Sequence, residues 1–480
     1  MTGQARAGTT PPGSRRPNLV LFMTDDHAVP AIGAYGSVIN TTPAVDRLAA
    51  EGMRFDNAFC TNSICSPARA SLLTGTYSHI NGMTTLEQDG QKFDSAQPSF
   101  PALLQAAGYQ TAIVGKWHLG HGPKSDPVGF DHWEILPEHG VYHDPTFVTR
   151  DGENQYPGYV TDIITDLALN WLDGRDPDKP FALLIQHKAP HRPFEPAERH
   201  RHLYEHQDIP APATLHDDYS HRARAAAEAE MRMSDLQDSD LKAPVPEGLS
   251  EREEREWRYQ RYIKEYLRVI AALDENVGRV LHHLDVTGDA ADTAVVYTSD
   301  HGFYLGEHGW FDKRFMYDPS LRIPLVVRWP GVVPAGSTCD ELVVNVDYAQ
   351  TILDLAGAET HPRMQGRSLL PLLRGEHPED WRQAVYYRYF EHLDVCHNVQ
   401  ASYGIRTHTH KLIHYPGHGS GQAGAKDERR TPEWELFDLT RDPDELHNRY
   451  DDPAYADLVE ELTEQLTQLQ LHYLDVPEHL

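Results

Sequence analysis

Long apolar runs are missing from this 480-residue chain. No stretch approaches the roughly 18–20 consecutive apolar residues of a membrane-spanning helix. Cysteine is scarce too. The thiols Cys60, Cys65, Cys339 and Cys396 are too few and too scattered for a disulfide framework, and no C-x-x-C pair marks structural zinc. The third shortage is basic charge: 43 lysines and arginines face 72 aspartates and glutamates, a formal net charge of −29. A field of that sign repels nucleic acid and anionic membrane, so neither is an expected partner. It also repels an anionic substrate, so a site for one has to be locally cationic. The opening segment is a polar Gly/Pro/Thr tail, expected to be disordered over residues 1–16, which runs into the short apolar stretch from Leu19 to Met23. That stretch is too short for a secretory signal and lacks a small-residue cleavage site, so it reads as a strand, and a cytoplasmic location is expected.

What is present is alternation. Short, nearly all-apolar runs at Asn18–Thr24, Thr111–Val114, Phe181–Gln186 and Ala294–Thr298 read as strands, between helical patterns at Thr42–Glu51, Ser99–Ala107 and Thr161–Leu172. The pattern predicts an α/β fold whose sheet is buried on both faces. Residues 200–255 interrupt it with a charge-mixed stretch that reads as a surface excursion. Beyond it, Ile263, Tyr266, Ile270, Leu273, Val277, Val280 and Leu284 recur every three or four residues, which places them on one face of a long helix packed on the sheet. From about residue 380 shorter β-like runs follow (Ala384–Tyr389, Tyr403–Arg406, Lys411–His414, Glu435–Asp438), then a final helix over Pro453–His472. The expected organisation is a catalytic domain over 17–375 and a smaller C-terminal α+β subdomain over 376–480.

Three acidic residues sit where strands end. Asp25 and Asp26 follow the first strand, and Asp300, with His301 beside it, follows the strand ending at Ser299. In α/β sheets ligands bind beyond the carboxyl ends of strands. Adjacent carboxylates there call for a positive partner, and oxygen-rich sites favour calcium or magnesium. His301 is discordant with that, because imidazole suits softer metals. Between these ends lies Cys65-Ser66-Pro67-Ala68-Arg69, followed by Ala70-Ser71-Leu72-Leu73-Thr74-Gly75. Taken alone, a cysteine near an arginine is either a thiol nucleophile or simply a buried cysteine.

The pattern C-x-P-x-R followed by ASLLTG resembles the signature of the formylglycine-dependent sulfatases of the alkaline phosphatase superfamily. Other segments resemble that family in the same order: RPNLVLFMTDD, Ala112-Ile113-Val114-Gly115-Lys116-Trp117-His118-Leu119-Gly120, Lys188-Ala189-Pro190-His191-Arg192-Pro193, Thr298-Ser299-Asp300-His301-Gly302 through Lys313, and Trp434-Glu435-Leu436-Phe437-Asp438-Leu439. Together they span roughly residues 17–450. The resemblance implies a large mixed β-sheet sandwiched by helices. It implies Cys65 oxidised to formylglycine by a formylglycine-generating enzyme, and a Ca2+ ion (Mg2+ as the alternative) on Asp25, Asp26, Asp300, His301 and the modified Cys65. Arg69, Lys116, His118, His191 and Lys313 would surround the sulfate, with His191 and Lys313 protonating the leaving alcohol and His118 releasing sulfate.

The stretches Gly306–Tyr317 and His397–Arg406 resemble bacterial sulfatases acting on sulfated glycans, N-acetylglucosamine-6-sulfatases most of all, with iduronate-2-sulfatases, choline sulfatases and aryl sulfatases as alternatives. On that likeness His397 and Arg406 are expected to line a sugar pocket. Two rival readings are a phosphonate monoester or phosphodiester hydrolase of the same superfamily, and a glycan-binding relative that has lost catalysis.

Overall fold

The computed structural model describes residues 16–87 and 90–476, so the tail expected over 1–16 lies outside the described residues apart from Arg16. Along the described chain the strands are β1 (Asn18–Asp25), β2 (Met53–Phe55), β3 (Ala58–Phe59), β4 (Gln110–Lys116), β5 (His132–Leu136), β6 (Thr146–Thr149), β7 (Gly152–Gln155), β8 (Phe181–Pro190), β9 (Thr293–Ser299), β10 (Leu325–Arg328), β11 (Ser337–Cys339), β12 (Val343–Val344), β13 (Ala384–Tyr389), β14 (Ser402–Thr407), β15 (His410–Tyr415) and β16 (Glu433–Asp438). One large sheet has the order β11-β2-β10-β9-β1-β8-β4-β5-β6-β7. Its centre, from β9 through β1, β8 and β4 to β5, is parallel. β10 pairs antiparallel with β9, and β6 and β7 close the other edge antiparallel, so the sheet is mixed.

Alternate residues of the central strands feed two cores. In β1, Leu19, Leu21 and Met23 enter one core while Val20 and Phe22 enter the other; β9 divides Ala294 and Val296 from Val295 and Tyr297 in the same way. A strand covered on both faces has no polar side, which is why these segments are apolar throughout. Helices Pro43–Glu51, Val160–Gly174 and Glu251–Thr287 cover one face. Helices Cys65–Thr74, Phe100–Ala106 and Asp347–Leu355 cover the other, together with the antiparallel sheet β13-β14-β15-β16 and the closing helix Ala456–His472. The smaller C-terminal sheet is therefore present as the β-like runs predict.

The long helix begins well before its first regularly spaced apolar residue. Ser250 accepts from the Glu253 amide in a reciprocal capping box, and Gly288 closes the other end in the left-handed region. Residues 200–255 differ from expectation. Ile209, Leu215, Met233, Leu236 and Leu241 are buried in the core that holds the long helix, and Ala225, Ala226 and Met231 in the other core, so the segment is anchored in both and is more than a surface excursion. Its apolar residues come singly between charges, with no period to mark them.

Candidate active site

Strand ends bring the predicted residues together. Asp25 is the last residue of β1, Lys116 the last of β4, and His191 follows β8; Asp300 and His301 follow β9. Asp26 turns away from β1 in the left-handed region, with its carbonyl held by the Tyr266 hydroxyl at 2.7 Å. Cys65 begins the helix Cys65–Thr74 and so faces the positive end of its dipole. Arg69 lies one turn further along the same face.

Ligand atoms of Asp25, Cys65, Asp300 and His301 all lie within 4.8 Å of one another, and all four residues are buried. Asp26 joins from the side: its amide donates to Asp300 Oδ1 at 3.4 Å, and its Oδ1 is 3.4 Å from His301 Nδ1. Asp26 and Asp300 are 274 positions apart in sequence. His301 Nε2 and Asp25 Oδ1 each approach Cys65 Sγ to 3.4 Å. Buried carboxylates in such a group repel each other, and the Asp26 Oδ2 atom has no hydrogen-bond partner. This donor set, mostly carboxylate oxygen, fits a hard divalent cation.

Cationic groups ring the carboxylates. Lys116 pairs with Asp25, and Lys313 Nζ lies 2.9 Å from Asp26 Oδ1. Burial would raise the Asp25 carboxyl, but Lys116, with Arg69 and Lys313, outweighs it and holds Asp25 well below the ordinary range. Asp26 goes the other way. Burial, opposed by Lys313 and reinforced by Asp25, Asp312 and Asp300, pushes it up to about 8. Burial, with Asp25 adding to it, pushes the Cys65 thiol far above its usual value, so the site does not make a thiolate. Burial also holds His118 and His191 neutral, well below the usual imidazole range.

A cavity of about 370 Å³ opens over this group, with Cys65, His139, Lys188, His191, Arg192, Lys313, Arg314 and Cys396 among its lining. The cations expected to make an anion site possible in a chain of charge −29 are thus present. Three sequence expectations need correction. Arg69 does not line the cavity: it is fully buried, with its guanidinium on Asp300 (3.1 Å from Nε), the Lys116 carbonyl (2.8 Å) and Gln186 Oε1 (2.9 Å), bracing Asp300 from behind. Arg406 does not line the cavity. It points from β14 to Asp318 (3.1 Å) and over the Phe59 ring, among buried ion pairs with Lys411 and Glu445. His397 also stands behind the wall, 3.3 Å from Asp312 Oδ2, with its other ring nitrogen 3.0 Å from the Glu230 carbonyl.

Other wall residues escaped the sequence reading. Lys188 and Arg192 flank His191 inside a motif already singled out, and Asp312 and Arg314 flank Lys313, both with positive φ. His139 follows β5, a strand that was not recognised, so nothing marked the loop after it. Lys188 is buried over the Tyr142 ring with Nζ 3.1 Å from the Arg192 carbonyl, and burial, aided by Lys116, brings its ammonium down to about 7.

Carboxylates arranged for a cation, directly beneath ammonium and imidazole groups arranged for an anion, define a metal-binding hydrolase that acts on an ester of a tetrahedral oxyanion. The comparisons narrow that class. The sulfatase family model matches residues 17–358, and a model of the N-sulphoglucosamine sulphohydrolase C-terminal region matches 306–472. The chain belongs to the sulfatase family, and it is a sulfuric ester hydrolase. It is 42% identical to the N-acetylglucosamine-6-O-sulfatase of Bacteroides thetaiotaomicron, over 96% of this chain and 88% of that protein. The human N-acetylglucosamine-6-sulfatase is 30% identical over 78% of this chain and 68% of its own length. A solved structure in complex with its substrate D-glucosamine-2-N,6-O-disulfate superposes with a TM-score of 0.88 at 40% identity, covering 96% of this chain and 98% of the other. The phosphonate monoester hydrolase of Agrobacterium radiobacter, at 22% identity and TM-score 0.73 over 95% and 96% of the two chains, shares the fold.

Proposed function

We propose that this enzyme removes the 6-O-sulfate from N-acetylglucosamine 6-sulfate or the corresponding N-sulfated glucosamine, after a maturing enzyme has oxidised Cys65 to formylglycine. The observation that carries the reading is the convergence of Cys65 with Asp25, Asp300 and His301 within 4.8 Å at the base of a cationic cavity. The substrate rests on the 42% identical relative and on the glucosamine disulfate bound in the matched structure. A cavity of about 370 Å³ is in the range of small-molecule sites and suits one sugar residue.

Asp25, Asp26, Asp300 and His301 would hold the cation, and the carboxylate majority favours Ca2+ over softer metals. When present, the cation supplies positive charge at the nucleophile and formylglycine supplies an oxygen nucleophile where the unmodified thiol offers none. The chain's own residues do the rest. Lys188 and Lys313 present ammonium groups to the sulfate oxygens, with Lys116 buried just behind them on Asp25, in a site where fixed charges act without solvent reorganisation. A sugar alcohol is a poor leaving group and needs a proton. His191 Nδ1 donates to the Arg192 carbonyl at 2.9 Å, which leaves Nε2 facing Asp26 (3.7 Å) and the cavity. In the neutral ring Nε2 is unprotonated, so it first takes up a proton, which an anionic ester beside it favours, and then delivers that proton to the leaving oxygen. Asp312 and Arg314, paired with each other on the wall beside Lys313, face the sugar ring.

The test is sulfate release from N-acetylglucosamine 6-sulfate by protein whose Cys65 conversion has been measured by peptide mass. Turnover of the sugar above 4-nitrophenyl sulfate and above a phosphonate monoester is expected. Fully converted protein that leaves the sugar untouched overturns the substrate, and preference for the phosphonate overturns the reaction.

A further inference from the structure

His139 lies at the meeting point of three groups assigned to the chemistry, although it was given no part in it. It sits in the loop after β5 and lines the cavity. Its ring is stacked on His191 with centroids 4.6 Å apart and planes 25° apart, and its centroid lies 4.2 Å from that of the tilted His118 ring. Lys116 Nζ, which also pairs with Asp25, reaches His139 Nδ1 at 3.3 Å. An ammonium can only donate, so His139 Nδ1 is the acceptor and the ring proton is on Nε2. The tautomer is therefore set by Lys116.

We propose that His139 is a positioning residue for sulfate ester cleavage: it fixes the direction of the Lys116 ammonium and, by ring contact, the angle at which His191 presents Nε2 to the leaving alcohol. The inference rests on the acid role given to His191 above. Without the His139 ring, His191 loses its stacking partner and is tethered by the Arg192 carbonyl (2.9 Å) and the more distant Asp26 carboxylate (3.7 Å), between which the imidazole can tilt. Acid catalysis depends on alignment, and a misplacement of about 1 Å can cost on the order of 100-fold.

Leaving-group dependence separates this role from a merely structural one. N-acetylglucosamine 6-sulfate expels an alkoxide and needs the proton, whereas 4-nitrophenyl sulfate expels a stabilised phenolate and does not. With Cys65 conversion matched by mass, His139→Ala should lower kcat/KM on the sugar by about 100-fold, and on the aryl sulfate by only about tenfold or less, the share due to Lys116. His139→Gln keeps an acceptor for Lys116 but no ring. It should recover the loss common to both substrates while the sugar stays about tenfold worse relative to the aryl ester. Equal losses on both substrates in both variants, or no loss in either, overturn the proposal. If His139→Ala does not fold, the Gln variant alone gives the ratio. Wild-type enzyme that ignores the sugar refutes the substrate and not this inference, and methyl sulfate then serves as the alkyl ester.

Discussion

A single methyl group added at Gly115 tests how tightly the strands hold the site. Gly115 sits in β4 with φ of +106°, beside Gln186 of β8 and one residue before Lys116. A Cβ there would lie far inside contact distance of the Gln186 carbonyl oxygen, and 3.1 Å from Ile164 Cδ1. The carbonyl is backbone and cannot rotate away, so β4 and β8 must part at their catalytic end. That end carries both acceptors of the Arg69 NH1 group, the Lys116 carbonyl and Gln186 Oε1. The backbone strain costs about 1–3 kcal/mol and each disturbed hydrogen bond about 1 kcal/mol, so Gly115→Ala should lose about 3–5 kcal/mol. Displacing Lys116 and Arg69 by about 1 Å should also cut turnover on the order of 100-fold. Gly108, just before the same strand, has φ of +89° and nothing within 4 Å of a Cβ. Gly108→Ala pays only for its backbone conformation, about 1–2 kcal/mol, and should keep full activity. The assay is urea unfolding paired with kcat/KM on one sulfate ester. Equal behaviour of the two alanine variants would refute the argument that the clash, and not the conformation alone, controls the site.

Peptide mass across Cys65 should show thiol-to-aldehyde conversion in active protein, and Cys65→Ala should fold normally without turnover; active enzyme carrying only free thiol contradicts this. Asp300→Ala should abolish calcium binding measured by calorimetry and also destabilise the protein by about 3–5 kcal/mol, because the buried Arg69 guanidinium loses its carboxylate; calcium affinity equal to wild type would remove Asp300 from the metal set. Lys188, with its ammonium brought down to about 7, loses its charge as pH rises through that value. KM for the anionic ester should therefore climb above about pH 7 in the wild type and stay flat in Lys188→Met. Arg406→Ala should impair sugar and aryl sulfate equally, while weakening the fold towards acid. Burial would raise the Asp318 carboxyl, but Arg406 and Lys411 hold it well below its ordinary value. Its stabilisation is present at neutral pH and lost as pH falls, so without Arg406 the acid-unfolding midpoint should move upward; selective loss of sugar turnover would restore Arg406 to the substrate.

The sequence and the structure agree where one physical rule acts alone. Burial on both faces makes β1, β4, β8 and β9 apolar throughout, and a buried helix face repeats every three or four residues, so these elements were readable without coordinates. The unread strands carry weak or contrary signals. β2 has three residues, and β7, Gly-Glu-Asn-Gln, is an exposed polar edge whose pairing with β6 comes from backbone alone. The centre of the site was legible because its residues lie within contiguous motifs, and the convergence of Asp25, Cys65, Asp300 and His301 follows once the strand ends share one edge.

The wall of the cavity is different. It is assembled from single residues of separate segments, among them His139 after β5, Asp240 from the packed 200–255 stretch, and Cys396 near the C-terminal sheet. Neither His139 nor Asp240 has a neighbour in sequence that announces it, and Cys396 stands just outside the stretch that begins at His397. Arg406 shows the converse error. Its place in a family-like stretch suggested a ligand contact, but the strand points its side chain towards Asp318, and that direction is set by the register of β14 between Val385 and Lys411. A one-residue shift of register would turn every β14 side chain to the other face. Which residues of a motif reach the substrate is thus decided by strand pairing between distant segments, and local residue pattern carries no information about that pairing. Substrate choice, which depends on the wall, is accordingly less legible in sequence than the reaction, which depends on the strand ends.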